Sequence, residues 1–275
     1  MPRPMWNGSI SFGLINIPVK LFNAVKRRSI HFHQLRASDG CRIRLKKICE
    51  TDGKEVQSGE IVKGYEISPE QYVTVTAGEL EAATPKNTRA IEIEDFVALA
   101  EIDPLYFEQP YYLTPDKGAA KAYTLLLTAL AQTEKIAIAR FILRNKQYLC
   151  AIRPSGDRRA LTLSTMLYAD EIVAAGDLDD LPADDAQPGE REMKMAVQLI
   201  ESLTTEFQPG KYHDDYRQAL LTLLEKKAEG ELIAAPAAAA PAGKVIDLMA
   251  ALEASLAAVE KTPKAGSGRK KARAR

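Results

Sequence analysis

The chain opens on WNGSISFGLINIPVKLFNA, residues 6–24, and no other stretch restricts its fold as closely. Ile10, Phe12 and Leu14 alternate with small or polar residues, and Ile17, Val19 and Leu21 repeat the pattern. A period of two places these side chains on one face of a half-buried strand. Gly8 and Gly13 mark a tight bend or bulge. Pro18, with no N–H to give a ladder, limits the second segment to a sheet edge or a strand start. The segment predicts the opening hairpin of a β-domain.

Strand-like segments are expected at 9–15, 29–36, 42–48, 60–66, 72–76 and 90–100. PYYLTPDKG reads as a turn, after which 118–132 is helical. There Ala119, Ala122, Tyr123, Leu126, Leu127 and Leu130 fall at helical spacing, with Asp116 as the cap. KIAIARFIL (135–143) is a near-continuous apolar strand suited to a central position, and YLCAIRP (148–154) and ALTLSTMLY (160–168) complete a meander. The acidic, proline-bearing loop from Gly176 to Gly189 is a boundary. Beyond it Met193, Ala196, Val197, Ile200, Leu203 and Phe207 line one helix, and Tyr216, Ala219, Leu220, Leu223 and Leu224 line a second. The resulting class is α+β and β-rich. A β-rich core occupies 1–185, a helical arm 186–234, an Ala/Pro linker 235–243, an amphipathic helix 244–260 and a disordered basic tail 261–275.

A chain of 275 residues can bury a sizeable core. No run approaches 18 apolar residues, and the start lacks a charged region followed by an apolar one, which predicts a soluble, unexported, intracellular protein. Three cysteines, Cys41, Cys49 and Cys150, argue against a disulfide scaffold. The formal charge is zero, but its distribution is not even. Residues 1–63 hold 12 Lys/Arg against 5 Asp/Glu, and 64–110 hold 2 against 10. Residues 111–163 hold 9 against 3, and 164–192 hold 1 against 9. Blocks of this size imply a surface with separate basic and acidic faces.

The basic residues suggest where an anion would bind. In CRIRLKKI, Arg42, Arg44 and Lys46 project from one face of the expected strand, while Ile43, Leu45 and Lys47 take the other. Three cations side by side without interleaved acids favour a phosphate backbone over a merely solvated face. Arg140 lies inside an apolar strand, where an unpaired cation is expensive, so it is either salt-bridged or exposed to the ligand. Arg144 and Lys146, at the strand end, are stronger phosphate candidates, and Lys20 and Lys26, flanking the first hairpin, are weaker ones. The tail adds Lys264, Arg269, Lys270, Lys271, Arg273 and Arg275 with no acidic residue after Glu260. Contacts to phosphate and sugar carry no direct sequence information, so binding of this kind would not depend on base sequence.

Catalysis finds no support. The three histidines are His31, His33 and His213, and there is no P-loop, GxSxG or HExxH. Cys150 sits in an apolar strand, which blunts a thiol. Asp177, Asp179, Asp180, Asp184 and Asp185 lack EF-hand spacing and read as a solvated loop. No cofactor or metal is expected. The two arm helices carry more apolar surface than they can hide from each other, which predicts an obligate homodimer through Ile200, Leu203, Tyr216, Leu220 and Leu223. The last helix places Val245, Leu248, Met249, Leu252, Leu256 and Val259 on one stripe, the form of a helix that docks in a partner's groove.

The opening string closely resembles the start of the bacterial Ku proteins, W-x-G-x-[IV]-x-F-G-L-[VI]-x-[IV]-P-V-K-[LV]. The likeness continues in RIRLKKICETDGKEV with IVKGYE, in PYYLTPD, in IAIARFILRNKQYLCAIRP, in TMLYADEI, in MAVQLIESLTTEF with YHDDYRQAL, and in VIDLMAALEASL, spanning residues 5 to about 260. The resemblance implies a Ku-type β-barrel core with a strand bridge and a homodimer closing a ring over double-stranded DNA ends. It also implies recruitment of an ATP-dependent DNA ligase in non-homologous end joining, with the last helix as the docking element, and a cytoplasmic, nucleoid-associated site of action. One departure concerns metal. Several members carry C-x-x-C after the basic strand, whereas here Asp52 stands where the second cysteine would follow Cys49. Cys41, His31 and His33 lie nearby, but a buried or partly buried thiol pair without metal is the preferred reading. Two competing functions stay open, an RNA-binding β-barrel module without end specificity and a protein–protein adaptor.

Overall fold

The computed structural model describes residues 3–83, 89–179, 181–182, 189–230 and 248–261. The chain divides into two compact units, Met1–Asp177 and Leu178–Arg275.

The first unit is a closed barrel. Its strands are β1 (Trp6–Phe12), β2 (Ile15–Asn23), β5 (Ala90–Ala98), β6 (Phe107–Pro115), β7 (Lys135–Leu143), β8 (Lys146–Pro154) and β9 (Leu161–Met166), in the order β1-β2-β6-β9-β8-β7-β5. All neighbours are antiparallel except β1 and β5, whose parallel pairing from Ser9↔Ala90 to Ser11↔Glu92 closes the barrel. The opening alternation does fill the core: Ile10, Ile17, Val19 and Leu21 are essentially inaccessible. Leu14 breaks from it and is fully exposed. The register Phe12↔Ile15 leaves Gly13 and Leu14 as a two-residue hairpin loop, entered through Gly13 at φ 57°. Gly8 makes no bend; it lies inside β1, beneath the Trp6 ring and against the Arg89 carbonyl.

Prolines misled the expected topology twice. Pro18 sits in a strand paired on both sides, not at an edge. It lies just outside the β2–β6 ladder, which starts at Val19↔Pro115, so its missing N–H costs that ladder no bond. PYYLTPD is not a turn but the body of β6, between β2 and β9. A register shift between Phe107 and Pro110 accommodates the proline there.

Helix α2 (Ala120–Thr133) packs on β7 and β8 through Tyr123, Leu126 and Leu130, all buried. Asp116 does not cap it: the N-cap is Ala119, and the Asp116 carboxylate accepts instead from the Lys117 N–H at 2.7 Å. Tyr123 locks the helix to the barrel. Its hydroxyl donates to the Leu113 carbonyl at 2.6 Å and accepts from the Leu161 N–H at 2.7 Å, the pair with which the β6–β9 ladder ends. Tyr123→Phe would strand both backbone groups in the core, a loss of about 1–3 kcal/mol. The urea midpoint should fall with the slope unchanged; an unaltered midpoint would mean the hydroxyl contributes nothing.

Between β2 and β5 the chain leaves the barrel as a long arm. Strands β3 (Lys63–Ser68) and β4 (Gln71–Val75) form a two-stranded sheet, followed by α1 (Ala77–Ala83). No described residue from 24 to 83 is buried. The strands expected at 29–36 and 42–48 are absent; only the single bridges Leu35↔Arg42 and Ile48↔Glu55 occur. Alternation marks a face to be covered, but a ladder needs a neighbouring backbone alongside for several residues, and here the chain meets one only at these single bridges. Two similar turns shape it instead. The carboxylates of Asp39 and Asp52 accept from the N–H groups of Cys41 and Lys54, each at 3.1 Å, and Gly40 and Gly53 follow at φ 70° and 67°.

The second unit holds α3 (Glu190–Leu203), α4 (Asp215–Ala228) and α5 (Leu248–Lys261). Neither α3 nor α4 contains a buried residue, and α3 packs against α5. The linker at 235–243, Val245 and the basic tail from Thr262 to Arg275, with Lys264, Arg269, Lys270, Lys271, Arg273 and Arg275, lie outside the described residues.

Candidate nucleic-acid interface

Ion pairing separates the expected phosphate ligands into two groups. Lys20 meets Asp116 at 2.6 Å, Lys46 meets Glu55 at 2.6 Å, Arg140 meets Glu94 at 3.3 Å, and Lys146 approaches Glu171 at 4.0 Å. Lys20 is the first cause holding the Asp116 carboxyl below its ordinary range. Arg140 is not trapped in the core; it is half exposed on the outer face of β7. Glu94 reaches it because it is the extra residue of the bulge between Ile93 and Asp95. Lys46 leaves the three-cation row for Glu55 across the second turn of the arm.

The other group has no carboxylate within ion-pair distance among the described residues: Lys26, Arg42, Arg44, Lys47 and Arg144. All but Arg144 lie on the exposed arm. Arg144 and Asn145 form the two-residue turn between β7 and β8, both at positive φ (52° and 65°), the geometry of a type I′ hairpin. Lys146 beside it lies 5.1 Å from the centre of the Tyr148 ring. Arg27 and Arg28 extend the group; the run KRR was visible in the sequence, and only its first member was singled out.

The chemistry of the remaining candidates is quiet. Cys150 is fully buried, donates to the Ala139 carbonyl at 3.3 Å, and has its thiol pushed far up by burial. Of the buried or partly buried thiol pair expected, Cys49 is half-buried but Cys41 is exposed. Among the described residues no group of three or more His, Cys, Asp and Glu could hold a metal ion. Asp52, in the second-cysteine position, is engaged by the Lys54 N–H. No described helix is long and apolar enough to cross a membrane.

The apolar candidates lie on the second unit. Ile200, Leu203 and Tyr216 are exposed, Tyr216 to 78%, while Leu220 and Leu223 are half-buried. Phe207 and Tyr212 stack at 5.9 Å and are themselves exposed. On α5, Met249, Leu252 and Leu256 are half-buried; the side chain of Leu248 is outside the described set.

A closed seven-stranded barrel carries an unburied basic arm, and α3 and α4 of the second unit hold no buried residue. Residues 11–195 match the family model described as the Ku70/Ku80 beta-barrel domain. The chain is 51% identical over 261 residues to the non-homologous end joining protein Ku of Anaeromyxobacter sp. (strain K), covering 95% of this chain and 87% of that one. It is 42% identical over 273 residues to the Heliobacterium modesticaldum protein of the same name, covering 99% and 98%. The Opitutus terrae protein is 41% identical over 256 residues, covering 92% and 91%. The chain belongs to the Ku family.

Proposed function

We propose that this protein binds the ends of double-stranded DNA without sequence preference and acts in non-homologous end joining, alongside the chromosome in the cytoplasm. Two chains close a ring over the duplex, and the C-terminal helix recruits an ATP-dependent DNA ligase. The observation that carries the reading is the arm in a chain of this family: a long, wholly unburied segment that sets out Lys26, Arg27, Arg28, Arg42, Arg44 and Lys47 without a carboxylate partner among the described residues. Uncompensated cations in a row favour an anion, and phosphates are the anion every DNA end presents.

The same arm exposes Leu45, Ile48, Tyr65, Ile67 and Tyr72, and the second unit exposes Ile200, Leu203, Phe207 and Tyr216. Apolar surface of that extent on segments without a core supports association with a second copy. A ring adds retention, because a threaded ring leaves only by an end. The protein should therefore bind a linear duplex and fail to load on the same sequence as a closed circle. Sedimentation should show a dimer at micromolar concentration. Equal loading on circle and line would overturn end binding; tighter binding to RNA would favour the RNA-binding module, and a monomer would remove the ring.

A further inference from the structure

The C-terminal helix is not free. Along α3 the half-buried apolar residues are Met195, Ala196 and Leu199, whereas Met193, Val197, Ile200 and Leu203 are exposed. Helical spacing had placed Met193, Ala196, Val197, Ile200, Leu203 and Phe207 on one stripe; in the structure Ala196 falls instead with Met195 and Leu199 on the half-buried side, and the others are exposed. On α5 the half-buried apolar residues include Met249, Leu252 and Leu256, at helical spacing i, i+3 and i+7. The two helices pack together, and Arg191 of α3 meets Glu253 of α5 at 3.3 Å on the rim.

We propose that α5 rests on the Met195–Leu199 face of α3 as an intramolecular latch, and that a partner taking the apolar face of α5 must first release it. The inference rests on α5 being the ligase-docking helix, and it adds a regulatory state to that assignment. The latch covers one face of α3 and leaves the other, with Ile200 and Leu203, open, so latching and dimerisation do not compete. Its contacts are half-buried throughout, and one exposed ion pair adds little, so opening is easy. A helix docked about nine-tenths of the time lowers a competing partner's apparent affinity roughly ten-fold. Ligase recruitment is then held back until something displaces α5 from α3.

The test uses the full chain with Met195→Gln and Leu199→Gln, which remove apolar contact while keeping good helix formers in α3. Amide exchange over 248–261 should quicken by about ten-fold or more, and affinity for the pathway's ATP-dependent ligase should rise several-fold. Binding to linear duplex should not change. As a second probe, Arg191→Glu should shift both readouts in the same direction by roughly two- to five-fold, and adding Glu253→Arg should restore them. Unchanged exchange in α5 overturns the latch. Faster exchange without tighter ligase binding overturns its gating role. If the ligase binds neither form while exchange responds, the docking assignment itself fails, and gating fails with it.

Discussion

Gly8→Ala is expected to undo the closure of the barrel. A Cβ at this position would fall on the Arg89 carbonyl oxygen and on the Cη2 and Cζ2 atoms of Trp6, far inside van der Waals contact. Neither neighbour can yield cheaply. The Arg89 carbonyl accepts from the Ser9 N–H at 3.0 Å, at the start of the parallel β1–β5 seam. Trp6 stands edge-on to Phe141, 6.0 Å away at 80°, and Phe141 is among the largest fully buried side chains. Moving the carbonyl opens the seam, and moving the indole opens the core. Overpacking of this kind costs about 3 kcal/mol or more where backbone must shift, which for a chain of this size lowers the melting temperature by on the order of 10 °C. Gly13→Ala is the control: nothing lies within 4 Å of its Cβ, and only its φ of 57° opposes the change, a penalty of about 1–2 kcal/mol. Calorimetry that ranks the two in the opposite order would refute this account of the W-x-G motif.

The second large effect concerns the uncompensated cations. Arg42→Ala, Arg44→Ala and Lys47→Ala together should reduce affinity for linear duplex by on the order of a thousand-fold, taking about 1.5 kcal/mol for each lost charged contact. The loss should be equal on unrelated sequences, and the log–log salt slope should flatten by roughly three units. Lys20→Ala and Arg140→Ala should do much less, because Asp116 and Glu94 already engage those cations. A triple variant that binds as well as wild type would remove the arm from the interface. Loss confined to particular sequences would mean base readout and would contradict end binding.

Much of this molecule could be seen in its residues one after another. Period-two alternation identified β1 and β2, a near-continuous apolar run identified β7, short apolar strand runs identified β8 and β9, and helical spacing identified α2 to α5, because each of these signals repeats within a few residues. The density of the opening motif pointed to the family.

What a linear reading could not supply was whatever depends on which strand lies beside which. Residues 107–115 carry two prolines and looked like a turn, yet a barrel with β2 on one side and β9 on the other makes them a strand. Residues 42–48 alternate as a strand should, yet only single bridges, at Arg42 and Ile48, pair them with neighbouring backbone. Lys20 and Lys47 are equivalent as residues. One lies beside Asp116, brought from a distant strand end, and the other has no such neighbour among the described residues, and that difference separates a structural cation from a candidate phosphate ligand. Helical spacing put Met193, Ala196, Val197, Ile200, Leu203 and Phe207 on one stripe, whereas in the structure Met195, Ala196 and Leu199 are the half-buried apolar residues of α3 and the others are exposed. Local periodicity is a property of the chain and so can be read from it. Pairing, compensation and occlusion are relations between segments far apart in sequence, and they come into being only when the fold brings those segments together.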